Sequence, residues 1–324
     1  MRKALVIGIN DYGNSNHNLA GCINDADKIT EILERNGNGD VNFNVKKMLD
    51  VKTKGELNGQ IRECFSGNED VALFYFSGHG YLDTYGGYVV TPDCSNFDMG
   101  VSMQEILNIV NASMCQNKVV ILDCCHSGSI GNVQTAGQQL AAIGDGVTIL
   151  TASRPEEPSM EVGGRGVFTS LLIDALNGGA ADVTGHITSG GVYAYIDKAL
   201  GPWEQRPVFK TNVTRFSPIR TVLPQVDFTV LRRITQYFSL PEQEFNLNPS
   251  FEYTNATDIV HDVIEPYANV KNVAIFKDLQ KLESVGLVVP CGNEHMYFAA
   301  MESKSCKLTS AGQHYWRLVK NKTI

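Results

Sequence analysis

Residues 119–128 read VVILDCCHSG, an apolar run that stops abruptly at an acid, two cysteines and a small polar turn. Residues 71–80 follow the same plan: VALFYF, then SGHG. Short, unbroken apolar runs rich in β-branched and aromatic residues suit strands covered on both faces, as in a parallel sheet. In open α/β sheets, sites form beyond the carboxyl ends of the strands. A cysteine at one strand end and a histidine at a neighbouring one can assemble a thiolate–imidazole pair from distant sequence. These two segments therefore constrain the fold and the chemistry together.

Further strand-like runs sit at 3–9, 43–49 and 146–151, with another near 206–213. Helical spacing of apolar residues marks 20–36, 53–65, 102–111, 168–176 and 192–200. Alternation of the two predicts a mostly parallel, six-stranded sheet flanked by helices. The run at 43–49 alternates apolar and polar residues and predicts an edge strand, whereas 71–76 and 119–122 predict central ones. Two long loops flank the cysteines: a Gly/Gln-rich stretch at 127–146 without Lys or Arg, and 153–166, which carries Arg154 and Arg165. Loops this long in a compact domain are usually functional or disordered.

Near Pro218–Pro224 the pattern changes, which divides the chain into residues 1–222 and 223–324. The second part predicts helices at 228–238, 259–267 and 273–285. A hairpin from Gly286 with a return strand near 296–300 follows, then a last helix opened by Thr309 or Ser310. That order resembles a small winged-helix-like α+β domain. Residues 224–324 carry 10 Lys/Arg and 11 Asp/Glu, leaving 17 against 24 for the remainder, so the net charge of −8 lies mainly in the first part. An acidic domain is unsuited to nucleic acid. The candidate recognition helix balances Lys277 and Lys281 against Asp278 and Glu283, so nucleic acid is not an expected partner.

No apolar run reaches the roughly 20 residues needed to span a bilayer, and none is expected to. The eight cysteines form no CxxC pair or metal-ligand spacing, which predicts reduced thiols and a cytoplasmic setting. No metal or cofactor is expected.

Four segments in order carry a family resemblance: ALVIGIN at 4–10, LAGCINDA at 19–26, FSGHG at 76–80 and DCCHSG at 123–128, with weaker echoes at 151–153 and 166–169. The chain resembles the caspase/metacaspase clan of cysteine peptidases over roughly residues 1–220. It is nearer to metacaspases and bacterial caspase-like proteins than to animal caspases. The resemblance implies a caspase-like sheet, with Cys125 as nucleophile, His79 as general base and backbone N–H groups of Gly80 and Cys125 as oxyanion donors. It further implies that Asp25 and Asp123, with Ser77, line a pocket for Arg or Lys at the residue before the cut (P1). The absence of any Lys or Arg between Arg62 and Lys118, or between Lys118 and Arg154, independently disfavours an acidic P1 residue.

An ordinary thiol, with a pKa near 8.5, is mostly protonated at neutral pH and needs a basic neighbour. Cys124 precedes Cys125, and adjacent strand residues point to opposite faces, so Cys124 reads as a packing residue. His126 reads as a loop residue and Cys22 as a thiol at a helix start. Calcium is left unassigned, because few acids follow His79. The expected partners are protein or peptide substrates with Arg or Lys at the cleavage site. A regulatory protein or small-molecule activator would act on the loops or the C-terminal domain. Without Lys or Arg, the loop at 127–146 offers a basic-selective enzyme no self-cleavage site. The competing readings are a catalytically inactive caspase-like scaffold and a DNA-binding regulator with a peptidase-like sensor domain.

Overall fold

The computed structural model describes the chain except residues 96–97, 126–131, 136–137, 142, 153–160, 163–164, 201–205 and 255–259, and gives only the backbone at 132–135, 138–141, 161–162 and 165. It falls into two compact units, Met1–Leu223 and Pro224–Ile324.

The first unit is built on a six-stranded sheet. Its strands are β1 (Arg2–Gly8), β2 (Asn44–Leu49), β3 (Val71–Ser77), β4 (Asn117–Asp123), β5 (Val147–Thr151) and β6 (Val208–Asn212). Their order across the sheet is β6-β5-β4-β3-β1-β2. All neighbours pair in parallel except β6, which runs antiparallel to β5. The central position of β3 and β4 explains their unbroken apolar runs, and every residue of β3 is buried. The alternating β2 is an edge strand. The reversed direction of β6 left no mark in its short sequence.

Helices cover both faces. On one lie α1 (Cys22–Glu34), α4 (Val167–Asp174) and α5 (Ser189–Ala199), packed on the odd-numbered side chains Leu73, Tyr75, Val119 and Ile121. On the other lie α2 (Lys54–Phe65) and α3 (Met103–Ala112), packed on Phe74, Phe76, Val120 and Leu122. Thr53, Ser102 and Thr188 cap α2, α3 and α5, each accepting a backbone N–H from the first turn. Gly8 ends β1 against α1, where a Cβ would lie 2.3 Å from the Cys22 carbonyl oxygen. Only glycine lets the strand end approach that closely.

Two features of this unit lie beyond the sequence reading. A three-stranded antiparallel sheet (Gly80–Asp83, Gly86–Ser95, Asp98–Ser102) follows β3 directly. Within the loop expected at 127–146, Asn132–Thr135 pairs antiparallel with Gln138–Ala141. His126 and most of the 153–166 loop lie outside the described residues.

The second unit contains α6 (Phe228–Arg232), α7 (Ile234–Tyr237), α8 (Val270–Ser284), α9 (Met296–Met301) and α10 (Ser310–Lys320). Three short antiparallel strands complete it: β7 (Phe245–Asn246), β8 (Val288–Cys291) and β9 (Ser305–Leu308) in the order β7-β9-β8. Thr309 caps α10 by accepting the Gly312 N–H at 3.0 Å. Two expectations need correction. Residues 260–269 form no helix; Pro266 disfavours helical backbone at the residue before it. The return strand lies at 305–308, not near 296–300, which is the helix α9. Its buried Met296, Ala299 and Ala300 recur at helical spacing, and that periodicity prevails over β-propensity.

Among the described residues no helix is long and apolar enough to cross a membrane.

Candidate active site at the carboxyl ends of β3 and β4

In the register of β3 and β4, Ser77 pairs with Asp123 at the last position of both strands. His79 and Cys125 each stand two residues further along their own chain. Parallel neighbours lie about 4.8 Å apart, so the two segments leave the sheet side by side at the same height. The Gly78 N–H donates to the Asp123 carbonyl at 3.3 Å, carrying the pairing one step past the strands. At Gly80 the two segments touch. A Cβ there would lie 2.0 Å from the Cys125 carbonyl oxygen and 3.1 Å from Cys124 Sγ.

His79 is held on three sides. Its N–H donates to the Tyr12 hydroxyl at 2.7 Å. Its carbonyl accepts the Val90 N–H at 3.0 Å, which ties it to the small sheet that follows. Its ring Nε2 lies 2.7 Å from the His17 carbonyl oxygen. A carbonyl only accepts, so Nε2 donates, and the neutral ring carries its lone pair on Nδ1. The rings of Tyr12 and His79 lie 4.6 Å apart and tilted. Tyr12 is buried, which pushes the pKa of its phenol up and keeps it a neutral hydroxyl at any physiological pH.

Cys125 is half-buried, whereas Cys124 is fully buried in the core beneath α2 and α3. Cys124 thus packs in the core, while Cys125 is partly open to solvent. Cys22 is also buried at the start of α1, its N–H donating to Asn10 Oδ1 at 3.0 Å.

The acids form a second cluster on the side of the sheet that α1 and α4 cover. Asp25 comes from α1, Ser77 and Asp123 from the strand ends, and Gly166 and Thr169 from the start of α4. Asp25 and Asp123 are 2% and 6% exposed, low values for carboxylates. Asp25 Oδ2 accepts from the Ser77 hydroxyl at 3.4 Å and from the Gly166 N–H at 3.3 Å. Asp123 Oδ2 accepts from the Thr169 hydroxyl at 2.7 Å. Both carboxylates converge on Gly166: a Cβ there would lie 2.3 Å from Asp123 Oδ2 and 3.4 Å from Asp25 Oδ2. Tyr75, fully buried below them, has its phenol pKa raised by burial first and then by the Asp123 and Asp25 charges.

The structure therefore gathers the sequence-derived residues into two adjacent groups: His79, Gly80 and Cys125 in one, and Asp25, Ser77 and Asp123 in the other. Five contributors escaped the sequence reading. Tyr12 and Tyr75 look like ordinary core aromatics. Thr169 and Gly166 were visible only as a weak motif without a role. His17 contributes a backbone carbonyl, which any residue supplies.

Comparison with known proteins matches residues 1–211 to the family model described as the caspase domain. No curated protein sequence matches. Among solved structures, a Geobacter sulfurreducens protein from a structural-genomics programme aligns with a TM-score of 0.51 at 18% identity, covering 68% of this chain and 98% of its own. Caspase-1 from Spodoptera frugiperda aligns with a TM-score of 0.49 at 15% identity, covering 68% of this chain and 90% of its own. At 18% identity the first likeness speaks for the fold alone, and the second adds no argument. The match of the caspase-domain model to well over half of the sequence decides the family: the chain belongs to the caspase family, a family of cysteine peptidases.

Proposed function

We propose that this protein is an active cysteine endopeptidase that cuts after Arg or Lys with a Cys125–His79 dyad. The observation that carries this reading is the common register of β3 and β4, which sets a thiol and an imidazole two residues past a shared paired position. The His17 carbonyl on Nε2 adds support, because it leaves Nδ1 as the base.

In this reading His79 Nδ1 takes the Cys125 proton, and the thiolate attacks the carbonyl carbon of the scissile peptide. The oxyanion that forms accepts from the backbone N–H groups of Gly80 and Cys125. Collapse breaks the C–N bond, and the imidazolium returns its proton to the departing amine. Water, deprotonated by the same imidazole, then cleaves the thioester and frees the acid and the thiol. Asp25 and Asp123, with Ser77, receive the P1 side chain, because two buried carboxylates offer a guanidinium charge-assisted bonds in a poorly hydrated site.

Residues 224–324 act as a winged-helix-like regulatory or partner-binding domain. A protein or small-molecule activator works through them or through the loops around Cys125. The DNA-binding alternative gains nothing from α8, where Lys277 stacks over the Tyr253 ring at 4.7 Å and Asp278 is paired with Arg233 at 2.7 Å.

The test is hydrolysis of an Arg-P1 fluorogenic peptide by wild type and three variants. Cys125→Ala and His79→Ala should each abolish cleavage while melting like wild type, and Cys124→Ala should retain most of it. A dead Cys124→Ala beside an active Cys125→Ala would overturn the choice of nucleophile. Full activity of Cys125→Ala would overturn the mechanism.

A further inference from the structure

Behind the acidic pair runs a directional chain of hydrogen bonds. Thr169 Oγ1 donates its one proton to Asp123 Oδ2 at 2.7 Å. Tyr75 Oη lies 2.6 Å from the same Thr169 oxygen. Because the threonine proton is already committed to the carboxylate, the tyrosine must be the donor of the second bond. The order is Tyr75 to Thr169 to Asp123. Tyr75 and Thr169 are both fully buried. The three residues come from three separate elements, β3, α4 and β4, which pack together in one core cluster.

Asp25 is held from its own side by Ser77 and the Gly166 N–H. Each carboxylate is buried and anchored at its Oδ2, which restricts its orientation, and both converge on Gly166. Angle matters to one basic side chain more than to the other. A guanidinium is planar, and its rigid fork of donors fits carboxylates of fixed orientation. An ammonium is a near-spherical charge with rotatable donors, so it gains little from fixed carboxylate angles. It is also more strongly hydrated than a guanidinium and loses more on entering a buried site.

We propose that Thr169, supported by Tyr75, is a positioning residue that makes the acidic pocket select Arg over Lys at P1. The inference rests on the reading of Asp25 and Asp123 as the P1 pocket and narrows it to guanidinium substrates. Thr169 acts through Asp123 and is not itself a catalytic residue. Neither the caspase-domain match nor the residue types alone single it out, since a buried threonine near a helix start is commonplace.

The experiment measures kcat/KM for two peptides that differ only in P1 Arg or Lys. The enzymes are wild type, Thr169→Val, Thr169→Ser and Tyr75→Phe, each first checked by thermal melting. Wild type should prefer Arg by at least about tenfold, as expected for one extra charge-assisted bond. Thr169→Val keeps the shape but removes the hydroxyl. It should bring the ratio close to unity by raising KM for the Arg peptide, with kcat and the Lys peptide little changed. Thr169→Ser restores the donor and should restore the ratio. Tyr75→Phe leaves Thr169 in place without its rear donor and should give an intermediate ratio.

A merely structural role would lower both peptides alike, so an unchanged Arg-to-Lys ratio in a folded Thr169→Val overturns the proposal. If Thr169→Val does not fold, an unchanged ratio in Tyr75→Phe overturns it instead. A wild type that cleaves after Arg and Lys equally well also overturns it, while leaving the basic-pocket reading intact. A wild type that cleaves after neither removes that reading and this inference with it.

Discussion

Gly80 presses against the main chain of Cys125 so closely that an added Cβ would lie 2.0 Å from the Cys125 carbonyl oxygen. No side chain fits there without pushing apart the two segments that carry Cys125 and His79. Gly80→Ala should therefore destabilise the first unit by about 1–3 kcal/mol, the usual cost of overpacking. It should also lower kcat by far more than that loss of folded protein explains. Activity per folded molecule, measured well below the melting temperature, checks this. Wild-type kcat in the variant would show that the contact does not govern the dyad.

Gly166 makes the matching close approach at the acids, where a Cβ would meet Asp123 Oδ2 at 2.3 Å. Gly166→Ala should displace that carboxylate and raise KM for an Arg-P1 peptide about tenfold or more, the scale of one lost charge-assisted bond. Reactivity of Cys125 toward a small alkylating agent should stay the same. A rise in KM accompanied by a fall in that reactivity would mean that the whole site, and not only the region of the two acids, had shifted.

Tyr12 accepts the His79 N–H at 2.7 Å and packs its ring beside the imidazole. Tyr12→Phe keeps the ring but strips the acceptor, leaving an amide unsatisfied at a cost of about 1–3 kcal/mol. The loss should appear in kcat, with KM for the peptide little affected. An increase confined to KM would place the role of Tyr12 in substrate binding.

These contacts also show where sequence reading stops. The apolar runs at 71–76 and 119–122 marked β3 and β4 as central, because burial on both faces demands uniform apolarity. The alternation at 43–49 marked the edge strand for the opposite reason. The antiparallel course of β6 was hidden, since five residues of mixed exposure fit either direction. The small sheet at 80–102 was hidden by its glycines and short polar turns. At 296–300 the aromatic and apolar residues suggested a strand, while their helical spacing was the better guide. In the candidate site, the chemically distinctive residues Cys125, His79, Asp25 and Asp123 stand out in the sequence. Those that hold them do not: Thr169 reaches Asp123 across 46 residues, and Gly166 reaches Asp25 across 141. Separations of that size are set by tertiary packing and leave no local pattern.

Lys210, on β6, has its ammonium pKa lowered to about 8 by burial, from an ordinary 10.5. Below about pH 8 both folded and unfolded chains carry the proton, and the penalty of burying the charge is fully present. Between the two values the unfolded chain still holds the proton while the folded chain releases it, so stability rises with pH across that window. Relative to wild type, Lys210→Met should therefore fare better in stability at pH 7 than at pH 10. An equal difference from wild type at both pH values would assign the effect to packing and not to charge.

If the paired acids of this cysteine peptidase select a basic P1 residue, the wild-type protein has a charge-dependent P1 profile. The measurement is kcat/KM over otherwise identical peptides carrying Arg, Lys, Asp, Leu or Gln at P1, with Cys125→Ala as the blank. Cleavage should favour Arg, then Lys, by about two orders of magnitude over the rest, the scale of a lost charge-assisted contact in a buried pocket. No peptide should be cut by Cys125→Ala. A preference for Asp at P1, or a profile that ignores charge, would contradict the account.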